Sequence, residues 1–257
     1  MNKLKFLSIV TASSLLFSVA SIASPEKVSA STAQASLTSG GPTESHQQFT
    51  GQALKILTSD KGSTVAKSLN DNKALLLEYC DKPDSDENGY IFAYHFYNPY
   101  KKLNYLPSFL DASKVTALTK FQEHMKNAVI NYNSNKNYSI QELGRALHYL
   151  EDINVPHHAA NLIAGLSSHS SYESYVNDND SLFFINTSNA YSKYSSYEFN
   201  AYCTAIFDEC AKNAYSYKDL ANTYTTSNWK TAATNTLKLG QEDMAALLYR
   251  FIQYVEK

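Results

Sequence analysis

Stretches that alternate apolar and polar residues between hairpin turns are scarce in this sequence, which argues against a sheet-based fold. Cysteine is scarce too. Cys80, Cys203 and Cys210 are the only three in 257 residues, too few for a disulfide framework even in an oxidising compartment. Cys203 and Cys210 lie seven apart in a helical pattern, which in a straight helix separates their Cα atoms by roughly 10 Å, too far for a bridge. Basic charge is not in excess: 22 Lys and Arg stand against 24 Asp and Glu, a net charge of −2, so there is no footprint for a nucleic-acid partner. Beyond the N-terminus no run is apolar for long enough to span a bilayer. No internal repeat is evident.

The N-terminus is the exception to that last pattern of absences. Lys3 and Lys5 precede an apolar stretch from Phe6 to about Ala23, and small residues Ser21 and Ala23 sit three and one before a cleavage point. Residues 1–23 therefore read as a signal peptide, with too many Ser and Thr for a membrane anchor. Residues 24–35 are polar, small and unpatterned, and end in the processing-like Ala33-Gln-Ala35. They read as a propeptide or disordered leader. Residues 36–257, about 220 in all, fit one domain. The expectation is a secreted protein with no transmembrane segment once the signal is removed.

With 44% hydrophobic residues, the remainder can bury a true core. Twenty tyrosines and twelve phenylalanines suit amphipathic surfaces and aromatic-lined clefts. Helical periodicity places His46, Phe49, Ala53 and Ile56 on one face; Leu118, Phe121, Met125, Ala128 and Tyr132 on a second; and Ile140, Leu143, Leu147 and Leu150 on a third. Ser139 and Glu142 read as a capping box opening that third helix. Met244, Leu247, Phe251 and Tyr254 share a face near the C-terminus, while Asp81 to Pro107 is loop-like. The fold class is all-α, a compact single-domain multi-helix fold.

The chain has seven histidines, and their spacing is informative. His148 and Asp152 are four apart near the end of a helix, so one turn sets them side by side as two ligands for one metal. His158 follows a turn at Pro156. His169 and Glu173 repeat the spacing of four. His95 lies upstream in Phe92-Ala-Tyr-His95-Phe-Tyr-Asn-Pro99, after an acidic loop, and His46 opens the first mature helix. Imidazole and carboxylate donors without thiolate fit zinc, with open positions for water.

The run His148-Tyr-Leu-Glu-Asp152-Ile-Asn-Val-Pro156-His-His158-Ala-Ala-Asn161 closely resembles the signature of the bacterial zinc-dependent phospholipase C family. The resemblance extends to Ser45-His46, to Asp81 with the His95 segment, and to His169-Ser-Ser-Tyr-Glu173. It implies a helical domain around a three-zinc cleft, with three Zn2+ ions as cofactors. By position it assigns His148, Asp152, His95 and Asp81 to one zinc, and His158, His169 and Glu173 to a second. His46 and a shared Asp152 would hold the third, with the backbone amine and carbonyl of the mature N-terminus, Ser36 if cleavage follows Ala35. Asp84 and Asp86 compete for the place given to Asp81 on its spacing of fourteen from His95. His124 and His157 match no ligand position.

What the resemblance implies for function is hydrolysis of phosphatidylcholine-like phospholipids at a membrane or micelle surface, by a monomer, to diacylglycerol and a phosphorylated headgroup. Asp81 would also orient or deprotonate the attacking water, and Phe92 would face a quaternary ammonium headgroup. Three departures from the family pattern stand out. Glu151 occupies a position where the family has Gly or Thr. The family's mature N-terminal Trp has no counterpart, since Trp229 is the sole tryptophan. A β-sandwich membrane-docking module, found in some toxic relatives, is not expected. The competing readings are a zinc-dependent single-strand nuclease and a zinc-binding homologue without catalysis.

Overall fold

A helix with apolar residues on one face is expected to turn its other face to water. The helix carrying His148 does not. In the computed structural model, which describes residues 45–257, it runs Lys136–Asp152 and is buried on almost every side of its last three turns, His148, Glu151 and Asp152 included. Its polar face is covered because other helices bring polar partners to it, and the remaining fold is arranged around that.

In chain order the helices are α1 Ser45–Lys61, α2 Lys67–Asp71, α3 Lys73–Cys80, α4 Lys82–Asp86, α5 Gly89–Phe92, α6 Ala117–Asn131, α7 Lys136–Asp152, α8 Pro156–Ala160, α9 His169–Asp178, α10 Phe199–Ser216, α11 Lys218–Ala221 and α12 Thr226–Val255. Short 3-10 turns lie between them, including Ala93–His95. Among the described residues there is no β-strand; one isolated bridge joins Asn98 and Leu103. No described helix is long and apolar enough to cross a membrane. The all-α expectation holds.

Helix α7 packs chiefly against α6 and α3, while the thirty-residue α12 packs against α1 and α10. The periodic faces read from the sequence supply this core. Phe49, Ala53 and Ile56 of α1, Phe121, Met125 and Ala128 of α6, and Ile140, Leu143, Leu147 and Leu150 of α7 are all buried. At about 25 cal/mol per Å² of apolar area removed from water, such faces hold the bundle together without cross-links. The three cysteines are buried free thiols, Cys203 and Cys210 both on α10.

Two local expectations change. Helix α7 begins three residues earlier than the expected capping box, with Asn135 as N-cap accepting from the Tyr138 N–H at 3.2 Å. Ser139 instead donates to the Ala128 carbonyl on α6 at 2.5 Å, and Glu142 accepts from His124 and Asn127. Tertiary partners on α6 took both side chains from the cap. The stretch from Asp81 to Pro107 is also not uniformly loop: α4, α5 and the Ala93–His95 turn fold within it. Residues Ile91 and Phe92 take left-handed backbone angles, φ 57° and 61°, a conformation disfavoured for a β-branched side chain. The hydroxyl of Tyr105 donates to the Ile91 carbonyl and holds this turn in place.

The signal-peptide segment 1–23, the leader 24–35 and Ser36 lie outside the described residues.

Candidate metal centre

The end of α7 supplies His148 and Asp152 one turn apart, both buried, with His148 Nε2 3.2 Å from Asp152 Oδ2. The Ala93–His95 turn brings His95 Nδ1 to 2.7 Å from the same oxygen and 3.0 Å from His148 Nε2. The second carboxylate arrives from α4, where Pro83 in the first helical turn sets the chain's φ for a short helix. It belongs to Asp84. Its Oδ1 lies 3.6 Å from His148 Nε2 and 3.7 Å from His95 Nδ1, and its Oδ2 lies 3.8 Å from His46 Nε2. His46, at the start of α1, faces Asp152 Oδ1 at 3.9 Å.

A second group forms where α8 meets α9. Glu173 Oε1 lies 3.1 Å from His158 Nε2 and 2.8 Å from His169 Nε2. The two groups share a strut, because His158 Nδ1–H donates to the backbone carbonyl of His95 at 2.8 Å. A metal-binding histidine normally has its far ring nitrogen tied to an oxygen, which fixes ring and tautomer. His158 has that tie, and so does His148, whose Nδ1–H donates to the Cys80 carbonyl at 2.7 Å.

In all, three sets of donors converge, the donor atoms within 4.8 Å of one another in each: His46, Asp84 and His148; His95, His148 and Asp152; His158, His169 and Glu173. In these residues His46 Nε2, Asp84 Oδ2 and Glu173 Oε2 are buried and have no hydrogen-bond partner, and neither have His95 Nε2 and His169 Nδ1, the ring nitrogens opposite those that make the contacts above. Each such atom costs about 1–3 kcal/mol if left unsatisfied. Their concentration here is what a cation site requires, and the donor set of imidazole and carboxylate suits zinc.

Electrostatics agree. Burial alone would raise the Asp152 carboxyl, but His148, His158 and His95 hold it well below the usual range. Burial opposes charge on Glu173 as well, yet His169 and His158 bring it down to about 2. Burial also works against charge on His158, which Asp152 and Glu173 nonetheless hold up at about 9. His46 is held at about 10, burial being outweighed by Glu151, Asp152 and Asp84. The centre is a place where positive charge is wanted.

The other residues marked in the sequence fall as follows. Asp81, preferred on spacing over Asp84, caps the end of α3; its Oδ2 accepts from the Gln47 amide, and its Oδ1 is buried without a partner. Asp81 is not in any of the three convergent sets, and Asp84 is. Asp86 turns outward to Arg145, at 2.6 Å. Phe92 is half-buried, its ring 5.7 Å from that of His95. His124 is buried between Glu142 and Glu87, at 3.0 and 3.1 Å. His157 lies parallel to the His169 ring at 4.9 Å, and burial with the neighbouring His169 pushes its pKa down to about 2. Sequence reading passed over Thr50 and Gln47, each reaching a carboxylate beside the centre. The one signal for Thr50 is its spacing of four from His46.

The described residues form an all-helical fold that brings buried histidines and carboxylates together without thiolate, the donor chemistry of a helical metal-binding protein. The model of the zinc-dependent phospholipase C family matches residues 45–217, and the chain belongs to that family. It is similar to the phospholipase C of Clostridium novyi, 28% identical over 242 residues, covering 84% of this chain and 60% of that protein. It is also similar to the phospholipase C of Listeria monocytogenes, 34% identical over 141 residues, covering 51% of this chain and 47% of the relative. The chain thus spans about three fifths of the length of the clostridial relatives it matches. The solved alpha toxin of Clostridium absonum shares the fold, with a TM-score of 0.75 at 23% identity over 83% of this chain and 64% of that one.

Proposed function

We propose that this chain is a secreted zinc-dependent phosphodiesterase that hydrolyses phosphatidylcholine-like phospholipids to diacylglycerol and a phosphorylated headgroup. The observation that carries the reading is the convergence of three buried His and carboxylate donor sets, in a chain of this family. Family relatives named phospholipase C support the substrate class.

Three Zn2+ ions are proposed. His95, His148, Asp152 and Asp84 would hold the first, with Asp84 in the place that spacing gave to Asp81. His158, His169 and Glu173 would hold the second. His46 and Asp152, with Asp84 nearby and the backbone of Ser36 as mature N-terminus, would hold the third. Bound zinc supplies Lewis acidity to the phosphate oxygens and lowers the pKa of a coordinated water towards neutrality.

The chain's own residues do the rest. Asp81 keeps the role of general base: burial raises its carboxyl above the usual range, against the pull of Gln47 and the nearby histidines, and its buried Oδ1 is available to accept a proton. Phe92, half-buried beside His95, would offer the face of its ring to a quaternary ammonium.

The test is headgroup release from phosphatidylcholine micelles beside digestion of single-stranded DNA, each with and without a chelator. Chelator-sensitive headgroup release supports the proposal. Chelator-sensitive DNA cleavage alone would point to a nuclease, and no cleavage of either substrate to a zinc-binding protein without catalysis.

A further inference from the structure

Glu151 sits next to Asp152 in the strongest motif of the chain. It does not point to solvent. It is 4% exposed, and both its oxygens are taken by α1. Oε2 lies 2.6 Å from His46 Nδ1, and Oε1 accepts from the Thr50 hydroxyl at 2.5 Å. His46 and Thr50 are one helical turn apart, so the carboxylate bridges two successive positions on the same face of α1.

The consequence falls on the other ring nitrogen. With Nδ1–H donating to Glu151, Nε2 is the ring nitrogen of His46 left to exchange its proton for a cation. That atom is buried, has no hydrogen-bond partner, and faces Asp84 Oδ2 at 3.8 Å and Asp152 Oδ1 at 3.9 Å. The His46 ring is further held against the His148 ring, centroids 4.2 Å apart. His148 and His158 are tied by neutral backbone carbonyls, whereas His46 is tied by a carboxylate. A carboxylate on the far nitrogen makes imidazole a stronger donor, and its loss typically weakens metal binding 10–100-fold.

We propose that Glu151 is a positioning residue which, through His46, selectively tightens the hold on the cation between His46, Asp84 and Asp152. This rests on the zinc-site reading above and adds to it a built-in difference between the ions. The His46 ion would thus be held through a charged clamp from Glu151, and Thr50 keeps that clamp in register.

The test is zinc titration of the chelator-stripped full chain against a chromophoric competitor, for wild type, Glu151→Gln, Thr50→Val, His46→Ala and the Glu151→Gln/His46→Ala double variant. Near-ultraviolet circular dichroism of each stripped protein checks that it is folded. Glu151→Gln should weaken one ion by about 10–100-fold and leave the others unchanged. Thr50→Val should weaken the same ion by less, and Glu151→Gln should have no added effect once His46 is alanine. In zinc-loaded wild type, ¹⁵N spectra should show His46 as the Nδ1–H tautomer, and this signature should weaken in Glu151→Gln. Identical affinities in wild type and Glu151→Gln, or a uniform loss at every ion, would overturn the proposal while leaving the zinc-site reading intact. A wild-type protein that binds no zinc would overturn both. The readout needs no substrate, so failure to hydrolyse phospholipid bears only on the proposed function.

Discussion

His148 Nδ1 lies 2.7 Å from the carbonyl oxygen of Cys80, and this bond joins the metal-facing end of α7 to the last residue of α3. It is possible because one turn earlier α7 has no side chain. A Cβ at Gly144 would come within 2.6 Å of the Leu76 carbonyl oxygen and 3.1 Å of the Cys80 nitrogen, both backbone atoms that cannot swing aside. In an open helix, Gly→Ala gains about 1 kcal/mol. Here the sign should reverse. Gly144→Ala is expected to cost about 1–3 kcal/mol in urea unfolding of the stripped protein, and to weaken zinc binding, because the helices must part and lengthen the His148 to Cys80 bond. A stabilised variant with unchanged zinc affinity would show that the crossing is not what sets His148.

What the sequence made legible follows from how local each signal is. The pairs His148/Asp152 and His169/Glu173 depend only on one helical turn, and the structure joins each pair with contacts of 3.2 and 2.8 Å. The packed faces of α1, α6 and α7 were legible for the same reason. Asp84 was not separable from Asp81, because the choice depends on how the chain folds between α3 and His95, through two short helices and the left-handed turn at Ile91 and Phe92. No periodicity encodes such a path. Ser139 and Glu142 fit a cap by spacing, and their true partners lie on another helix. Glu151 was visible as an oddity, while its role needed the position of α1.

Asp81 and Asp84 should therefore separate by experiment. Asp84 lies within 3.8 Å of a nitrogen on each of three histidines. Asp84→Asn is expected to lower zinc affinity by at least about a hundredfold for one or more ions, since a ligand should matter no less than the groups supporting it. Asp81→Asn should keep the full complement of zinc and lose about 10²–10⁴ in turnover, the usual worth of a general base. Metal content by atomic emission beside headgroup release decides the matter. Zinc loss in Asp81→Asn with zinc retained in Asp84→Asn would return the ligand role to Asp81.

A pH dependence belongs to the buried network behind the centre. Burial opposes charge on His124, but Glu142 and Glu87 raise its pKa above the usual 6.5. Burial likewise opposes charge on Glu87 and Glu142, yet His124, with Lys120 for Glu87 and Asn127 for Glu142, lowers both below the usual 4.5. The histidine's contribution to stability is fully present below the unfolded value of about 6.5 and is lost as pH rises through the folded one. The carboxylates' contribution is present above about 4.5 and is lost as pH falls through their lowered values. The network should therefore stabilise most between those limits. His124→Gln is expected to cost about 3 kcal/mol near pH 5.5, and the gap should shrink as pH rises past neutrality. Denaturant unfolding of both proteins at matched free zinc measures it, and a gap that widens with pH would show His124 to be neutral in the fold.

Removal of metal should reach stability as well as activity. Three atoms that face the centre, His46 Nε2, Asp84 Oδ2 and Glu173 Oε2, are buried without partners, while the apolar core around them is complete, so the stripped chain should keep its helices and lose much of its resistance to heat. A ligand that binds only the folded state adds about 2.7 kcal/mol at a free concentration 100 times its Kd, and several ions add correspondingly more. For a chain of this length each kcal/mol is worth roughly 2–4 °C in Tm, so chelation should lower Tm by at least about 5 °C. Zinc should restore it and magnesium should not, because magnesium prefers an octahedron of oxygens and gains little from imidazole. The measurement is calorimetry of the stripped chain with each ion added back. Equal recovery with magnesium would mean that carboxylates alone hold the ions, which the placement of His46, His95, His148, His158 and His169 around them argues against.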